Sequence, residues 1–318
     1  VWRIWIDTGG TFTDGVAVDE DGRLHRAKIL STGALRGRVI RQTSAGRIEV
    51  EQSWDAPPGL VRGFRFRPLD RDEAIATVVD HDPDSGELHV APALARPLEP
   101  GAAFEVASEE EAPLLAARLL TRSPSGVELP PSRMRLATTL GTNALLERRG
   151  VPTVLFITRG LRDLLRIGTQ QRPDLFRPDI HRPPPLYEAV VEVEERLDAR
   201  GTVLRALDAE ALEDEARAWV GRGVRTAAVA LLHGYRNPAH ELALRDRLLA
   251  WGFDHVSCSA ELAPRIKLVP RAQTTVVDAY LSPVVATYLD RVEAGLQAGS
   301  LLAMTSAGGL LDTTQYRP

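Results

Sequence analysis

The sequence predicts an α/β protein that carries a small all-β segment, and three observations predict it. From about residue 135, apolar strand-like runs alternate with amphipathic helical runs. That rhythm argues for a mainly parallel sheet with helices on its faces. Residues 34–107 hold only short alternating runs separated by Pro, Gly and Asp turns, with no helical period. The opening thirty residues read as strand, glycine turn, strand, turn, strand.

In order, RIWID (3–7) and FTDGVAVD (12–19) are strands flanking the turn TGGT (8–11), and RLHRAKIL (23–30) is a third strand. Ser108 and Glu111 make the spacing of a capping box ahead of the helical run PLLAARLL. Further strands are expected at 135–139, 151–157, 189–195, 225–232, 255–259 and 300–306. Helices are expected at 142–149, 161–167, 208–222, 238–251 and 271–298. The helix at 208–222 places residues 209, 212, 216, 219 and 220 on one apolar face. Gly150 reads as the residue just past the end of the helix at 142–149. RPDIHRPPPL (177–186) reads as a Pro-rich loop.

The bulk numbers exclude several classes. The 318 residues are 44% hydrophobic and 26% charged, enough for one large domain or two ordinary ones. A formal net charge of −4 argues against a general nucleic-acid binder. Cys258 is the single cysteine, so no internal disulfide forms, which fits a reducing cytoplasm. No run approaches the ~18 apolar residues of a membrane span. The chain starts at Val1 and stops at Arg317-Pro318, which reads as part of a longer protein.

Four segments carry chemistry. Asp7-Thr8-Gly9-Gly10-Thr11 forms the first turn. Glycines there let backbone N–H groups converge on a phosphate, and a threonine hydroxyl adds a donor. A strand-end carboxylate such as Asp7 can hold Mg²⁺ through its water shell, and Asp14 can serve the same ion or orient a water. The competing reading is a plain hairpin. It is neither a Walker A loop, lacking GK[ST], nor a dinucleotide fingerprint, because a strand follows it. Thr138 to Ala144 runs from strand into helix, where Thr142 or Asn143 is a helix cap or the helix start offers donors to an anion or amide. Thr158 to Asp163, followed by 167–173, is a polar loop after an apolar strand. Its arginines either hold a substrate carboxylate or pair on the surface. Ser306-Ala307-Gly308-Gly309 is an anion nest or a tight turn. The histidines show no metal-binding spacing, and Cys258 sits in an apolar strand pattern as a buried, inert thiol.

Taken together, the words IDTGGTFTD (6–14), KILST (28–32), ATTLGTNALLERRG (137–150), TRGLRDLLRIGTQQRPDLF (158–176), LLHGYRNPAHE (231–241), ELAPRIKLVPRAQTTVVDAYLSPVV (261–285) and TSAGGL (305–310) resemble the hydantoinase A/5-oxoprolinase family. The family includes N-methylhydantoinases and acetone and acetophenone carboxylase subunits. The resemblance implies an actin-like (hexokinase/Hsp70-type) ATPase subdomain formed by 1–33 and 108–318, with 34–107 as an inserted β module. It implies that ATP and Mg²⁺ are bound by Gly9, Gly10, Thr11 and Thr13, with Asp7 and Asp14 catalytic and Asp7 on the metal through water. It places Thr139, Gly141, Thr142, Asn143, Arg159 and Arg172 near the substrate. The implied reaction is phosphorylation of a cyclic amide's carbonyl oxygen and ring opening by water, with 5-oxo-L-proline favoured. Hydantoin-type hydrolysis, a carboxylase subunit and a non-catalytic actin-like scaffold are the alternatives. Implied partners are the second half of the ATPase, a B component and a second copy of the chain, with no nucleic acid and no membrane. The family's second phosphate loop and adenosine segment do not occur in these 318 residues, so the chain by itself is expected to hydrolyse no ATP.

Overall fold

The computed structural model describes residues 1–70, 76–170, 176, 183–313 and 316. The chain divides into two compact units, one of residues 1–140 and 287–317 and one of residues 141–286.

The first unit opens with β1 (Trp2–Thr8), β2 (Phe12–Val18) and β3 (Leu24–Leu30), two successive hairpins. Alternation of Ile4 and Ile6 against Trp5 and Asp7 buries one face of β1 and exposes the other. Residues 34–107 close into a barrel of β4 (Ala34–Ser44), β5 (Arg47–Gln52), β6 (Arg65–Pro68), β7 (Ala76–Asp82), β8 (Glu87–Ala91) and β9 (Ala103–Ala107). Its strands are joined in the order β4-β5-β8-β7-β6-β9, which removes the open edges a sheet of this size would expose. Phe66, Phe104, Ile48 and Leu88 fill the inside, with the two phenyl rings 5.2 Å apart.

Helix α1 (Ala112–Thr121) follows and packs on β2 and β3. The expected capping box does not form. The helix starts four residues after Ser108, at Ala112, and Glu111 occupies the cap without a side-chain bond. The Ser108 hydroxyl instead accepts the Glu110 amide at 3.0 Å. Pro113 in the first turn explains why the helix starts late and still needs no donor there. Arg118 of α1 is buried; it donates to both Glu110 oxygens at 2.6–2.9 Å and to the carbonyls of Pro124 and Val127. Strand β10 (Ser132–Thr138) then lies parallel to β1.

In the second unit, α2 (Leu140–Leu146), β11 (Thr153–Thr158), α3 (Leu164–Ile167), β12 (Ala189–Val193), β13 (Arg196–Leu197) and β14 (Val203–Arg205) come in turn. A 3-10 turn (Glu210–Leu212) leads into α4 (Glu213–Gly221), β15 (Thr226–Ala230), α5 (Ala239–Ala250), β16 (His255–Cys258) and α6 (Ser259–Leu262). The sheet runs β12-β11-β15-β16, all parallel. Every residue of β11 and β15 is buried, as expected for strands covered on both faces. Val154, Phe156 and Val229 meet Ala216, Leu244 and Leu248 of α4 and α5 on one face. Leu155, Ile157 and Ala228 meet Ala272, Val276 and Ala279 on the other. Those last three belong to α7 (Leu268–Leu296), whose residues from Thr287 on are counted with the first unit. Strands β17 (Ser300–Met304) and β18 (Leu310–Asp312) complete the first unit's sheet, in the order β18-β17-β10-β1-β2-β3.

Two expectations at helix ends are corrected. α2 begins at Leu140, whose amide is accepted by the Thr138 hydroxyl at 3.1 Å, so Thr142 and Asn143 lie inside the helix and not at its N-cap. The helix ends at Leu146, before Gly150. A Cβ on Gly150 would stand 2.2 Å from the Tyr280 ring and 2.5 Å from its carbonyl. The glycine is there for close approach, and it is not the terminator its spacing suggests. Among the described residues no helix is long and apolar enough to cross a membrane.

Candidate functional site

The first hairpin is built by the pairing of Thr8 with Thr13 and Asp7 with Asp14. The Gly9 amide donates to the Phe12 carbonyl at 3.0 Å, closing a turn whose tip is Gly10 and Thr11. Both tip residues are exposed, and their amide N–H groups meet no acceptor among the described residues. A Cβ on Gly9 would stand 3.2 Å from the Phe12 carbonyl, so a side chain there presses on the turn's own closure. Free backbone donors on a glycine turn suit an anionic group such as a phosphate.

The carboxylates around the turn differ. Asp7 is exposed. Asp14 is also exposed, but both of its oxygens accept from Lys28, at 2.8 and 2.9 Å. Thr13 is fully buried, and its hydroxyl shares a hydrogen bond with Ser31 at 3.0 Å, turned away from the exposed tip. The Ser31 amide donates to the Thr11 carbonyl at 2.9 Å, so the start of the third strand's exit supports the turn from below. Thr8 is buried, and its hydroxyl finds no hydrogen-bond partner of good geometry. It lies beside the Tyr288 phenol of α7, which burial pushes to a higher pKa. Thr139 donates its amide to the Thr8 carbonyl at 3.0 Å, so this substrate candidate and the turn are tied together.

The remaining substrate candidates lie in the second unit. Gly141, Thr142 and Asn143 are in α2. Arg159 is ion-paired with Glu194, and its carbonyl accepts from Arg196 at 3.1 Å, which is the surface-pairing alternative for this loop. Arg172 lies outside the described residues, as does most of the Pro-rich stretch. The 306–309 segment is a tight turn between β17 and β18. The Thr305 amide donates to Gly309 at 2.8 Å, and Gly308 supplies the φ of 82° that the turn needs.

A polar cluster that sequence reasoning missed gathers at the carboxyl edge of the second unit's sheet. Glu241 is completely buried and accepts from the Leu231 amide (2.8 Å), the Ser259 hydroxyl (2.6 Å) and the Ala260 amide (2.8 Å). Arg271, 2% exposed, donates to the Leu231 carbonyl at 2.6 Å and stands 3.9 Å from Glu241. Burial pushes the Glu241 carboxyl up and the Arg271 guanidinium down, and each charge opposes the shift of the other. A Cβ on Gly234 would sit 2.3 Å from the Glu241 carboxylate. Beside it, the buried Glu195 accepts from Thr158 and from His240, the latter at 2.8 Å. Glu241 and His240 stand together in the NPAHE run after β15, and that run was the only signal. Cys258 is buried as expected, and burial pushes its thiol up, so it stays protonated. Among the described residues no three metal-ligating side chains converge.

Comparisons with known proteins bear on this arrangement. The model of the hydantoinase/oxoprolinase N-terminal region matches residues 3–55 and 93–251. The hydantoinase/oxoprolinase model matches 271–317. 5-Oxoprolinase 1 of Arabidopsis thaliana is 34% identical over 239 residues, which cover 65% of this chain and 19% of that protein. The nucleotide-free structure of acetone carboxylase, from work on ATP-dependent acetone carboxylation, superposes with a TM-score of 0.63 at 19% identity, over 98% of this chain and 37% of that one. The ATP-dependent caprolactamase of Pseudomonas jessenii gives 0.61 at 23% identity, over 99% and 37%. The chain therefore spans about a fifth of the length of its curated relative and shares its fold with part of each solved enzyme. On the two model matches, which together run from residue 3 to residue 317, this chain belongs to the hydantoinase/oxoprolinase family.

Proposed function

We propose that this chain is the first nucleotide-handling part of an ATP-dependent hydrolase that opens a cyclic amide, with 5-oxo-L-proline as the favoured substrate. The observation that carries the reading is the exposed Gly10-Thr11 tip of the glycine turn with its two free amide donors, flanked by the exposed Asp7 carboxylate. In this reading the turn holds phosphate oxygens, and Asp7 holds Mg²⁺ through water. Thr13 acts indirectly, through its bond to Ser31, by fixing the turn. Asp14, held by Lys28, sets the charge beside it. Two antiparallel hairpin strands leading into parallel β1, β10 and β17 support an actin-like subdomain, with residues 34–107 as its insert. Thr139, Gly141, Thr142, Asn143 and Arg159 stay candidates for the amide. Phosphorylating the amide carbonyl oxygen makes the carbon electrophilic enough for water to open the ring, and the positioned donors supply the charge stabilisation. A second ATPase half and a B component complete the enzyme.

The test is phosphate release by the full-length protein with Mg-ATP, run in parallel with 5-oxo-L-proline, hydantoin, and acetone plus bicarbonate. Release stimulated by 5-oxo-L-proline is the expected result. Release stimulated only by hydantoin, or only by ketone with bicarbonate, overturns the substrate. Bound ATP with no response to any of them favours the scaffold alternative.

A further inference from the structure

We infer that the open face of the first unit's sheet is a docking surface for a partner protein, and that the segment it takes is amphipathic and acidic. This surface is independent of the nucleotide reading. Register and burial define the face. Ile4, Ile6 and Gly15 turn to the inner side, where a Cβ on Gly15 would stand 3.0 Å from Leu120 of α1. The alternate residues turn outward. One row across β10, β1, β2 and β3 reads Arg135, Trp5, Val16, Arg26. The row beside it reads Arg133, Arg3, Val18, Leu24. Arg3, Arg26, Arg133 and Leu24 are exposed, Trp5 is 37% exposed, and the two valines are half-buried. The strands β1, β10 and β17 are parallel, and parallel sheets are as a rule covered on both faces. Here one face carries α1 and the other keeps its tryptophan in solvent.

The four arginines of the face have no carboxylate partner among the described residues. Arg3 and Arg133 are direct cross-strand neighbours, and like charges so placed cost stability unless an anion meets them. Arg135 lies over the Trp5 ring at 5.2 Å, and its Nη1 is out of solvent with no acceptor. The acids of the turn between β2 and β3 are engaged: Asp19 with His25, Glu20 with the Val1 amino group and Asp21 with Arg23. One row nearer the glycine turn the face changes sign, to Asp7 and to Asp14, which Lys28 holds. The whole chain has a formal net charge of −4, so this excess of cations is local.

The chemistry of the occupant follows from these rows. Guanidinium groups bind carboxylates through paired hydrogen bonds, and a tryptophan among arginines is the composition of an interface centre. Trp5, Val16 and Val18 take apolar side chains, and the arginines around them take Glu or Asp. From β10 to β3 the face spans about 14 Å, which about three turns of helix cross. Nucleic acid fits less well, because the middle of the face is apolar where a phosphate track needs cations.

The experiment follows the fluorescence anisotropy of a labelled helical peptide titrated with the full-length protein at about 50 mM salt. The peptide has about 15 residues, with leucines on one side and glutamates on the other. The expected result is saturable binding, weakened at least about tenfold in Arg3→Glu/Arg133→Glu. The same peptide with lysine for glutamate should bind that variant instead. Arg62→Glu/Arg200→Glu changes the net charge equally at exposed positions elsewhere and should leave binding within about twofold. No saturable binding up to about 1 mM, or equal loss in both double variants, overturns the site. So does equal binding of the lysine peptide to the wild type, or a tighter hold on a single-stranded oligonucleotide through Arg3 and Arg133.

Discussion

Gly150 shows how a single residue's reason can lie far away in the sequence. The Tyr280 ring and carbonyl of α7 occupy the space its side chain would need. Gly150→Ala should therefore destabilise the second unit by about 1–3 kcal/mol, because overpacking must move an aromatic ring or a helix backbone. Denaturant unfolding of the two proteins checks this, and an unchanged midpoint would mean the contact is slack. Spacing suggested a helix terminator here, and nothing local in ERRG indicates a tyrosine 130 residues on. The same limit hid the Glu241–Arg271 and Glu195–His240 pairs, whose partners come from separate segments and meet only once the parallel sheet brings strand ends together. The hairpin itself was legible because its determinants are local: the turn, its glycines and its flanking carboxylates are all within eight residues.

At the scale of elements, β11 and β15 were legible from the apolar runs VLFI and AAVA, and α5 and α7 from their place in the alternation of strands and helices. The start of α1 was not, because the serine that matched a capping box folded its hydroxyl onto Glu110. Closure of β4–β9 into a barrel was not legible either, since alternation gives strands without saying which edges meet. That barrel encloses a titratable group. His81 of β7 is 3% exposed, stacks near Trp54 at 5.5 Å, and neither ring nitrogen has a hydrogen-bond partner. Burial holds its pKa below the ordinary imidazole value, against the opposing pull of Asp82 and Asp80. The unfolded chain then binds the extra proton as pH falls through about 6.5. The stability carried by the neutral ring is thus present above that pH and lost below it. The melting midpoint of the wild type should drop more between about pH 7.5 and about pH 5.5 than that of His81→Leu. Parallel drops would show that the ring is already solvated.

At the scale of the whole molecule, the chain matches one part of longer enzymes, covering 37% of each solved neighbour's chain. The fold of that part follows from alternation of apolar runs, and its family from motifs spread over nearly all of it. The proposed chemistry rests on a narrower base, the donors of one turn and one exposed carboxylate. Asp7→Asn keeps the size of the side chain and removes the charge. If the turn and Asp7 hold the phosphates and the metal, this change should lower 5-oxo-L-proline-stimulated phosphate release in the full-length protein by about 100-fold or more. Asp14→Asn, which breaks only an exposed pair with Lys28, should cost far less. The measurement to make is that turnover at saturating Mg-ATP for wild type, Asp7→Asn and Asp14→Asn side by side. A large loss confined to Asp7 is the expected result. Turnover of Asp7→Asn within a few-fold of wild type would contradict the placing of the phosphate site on this hairpin.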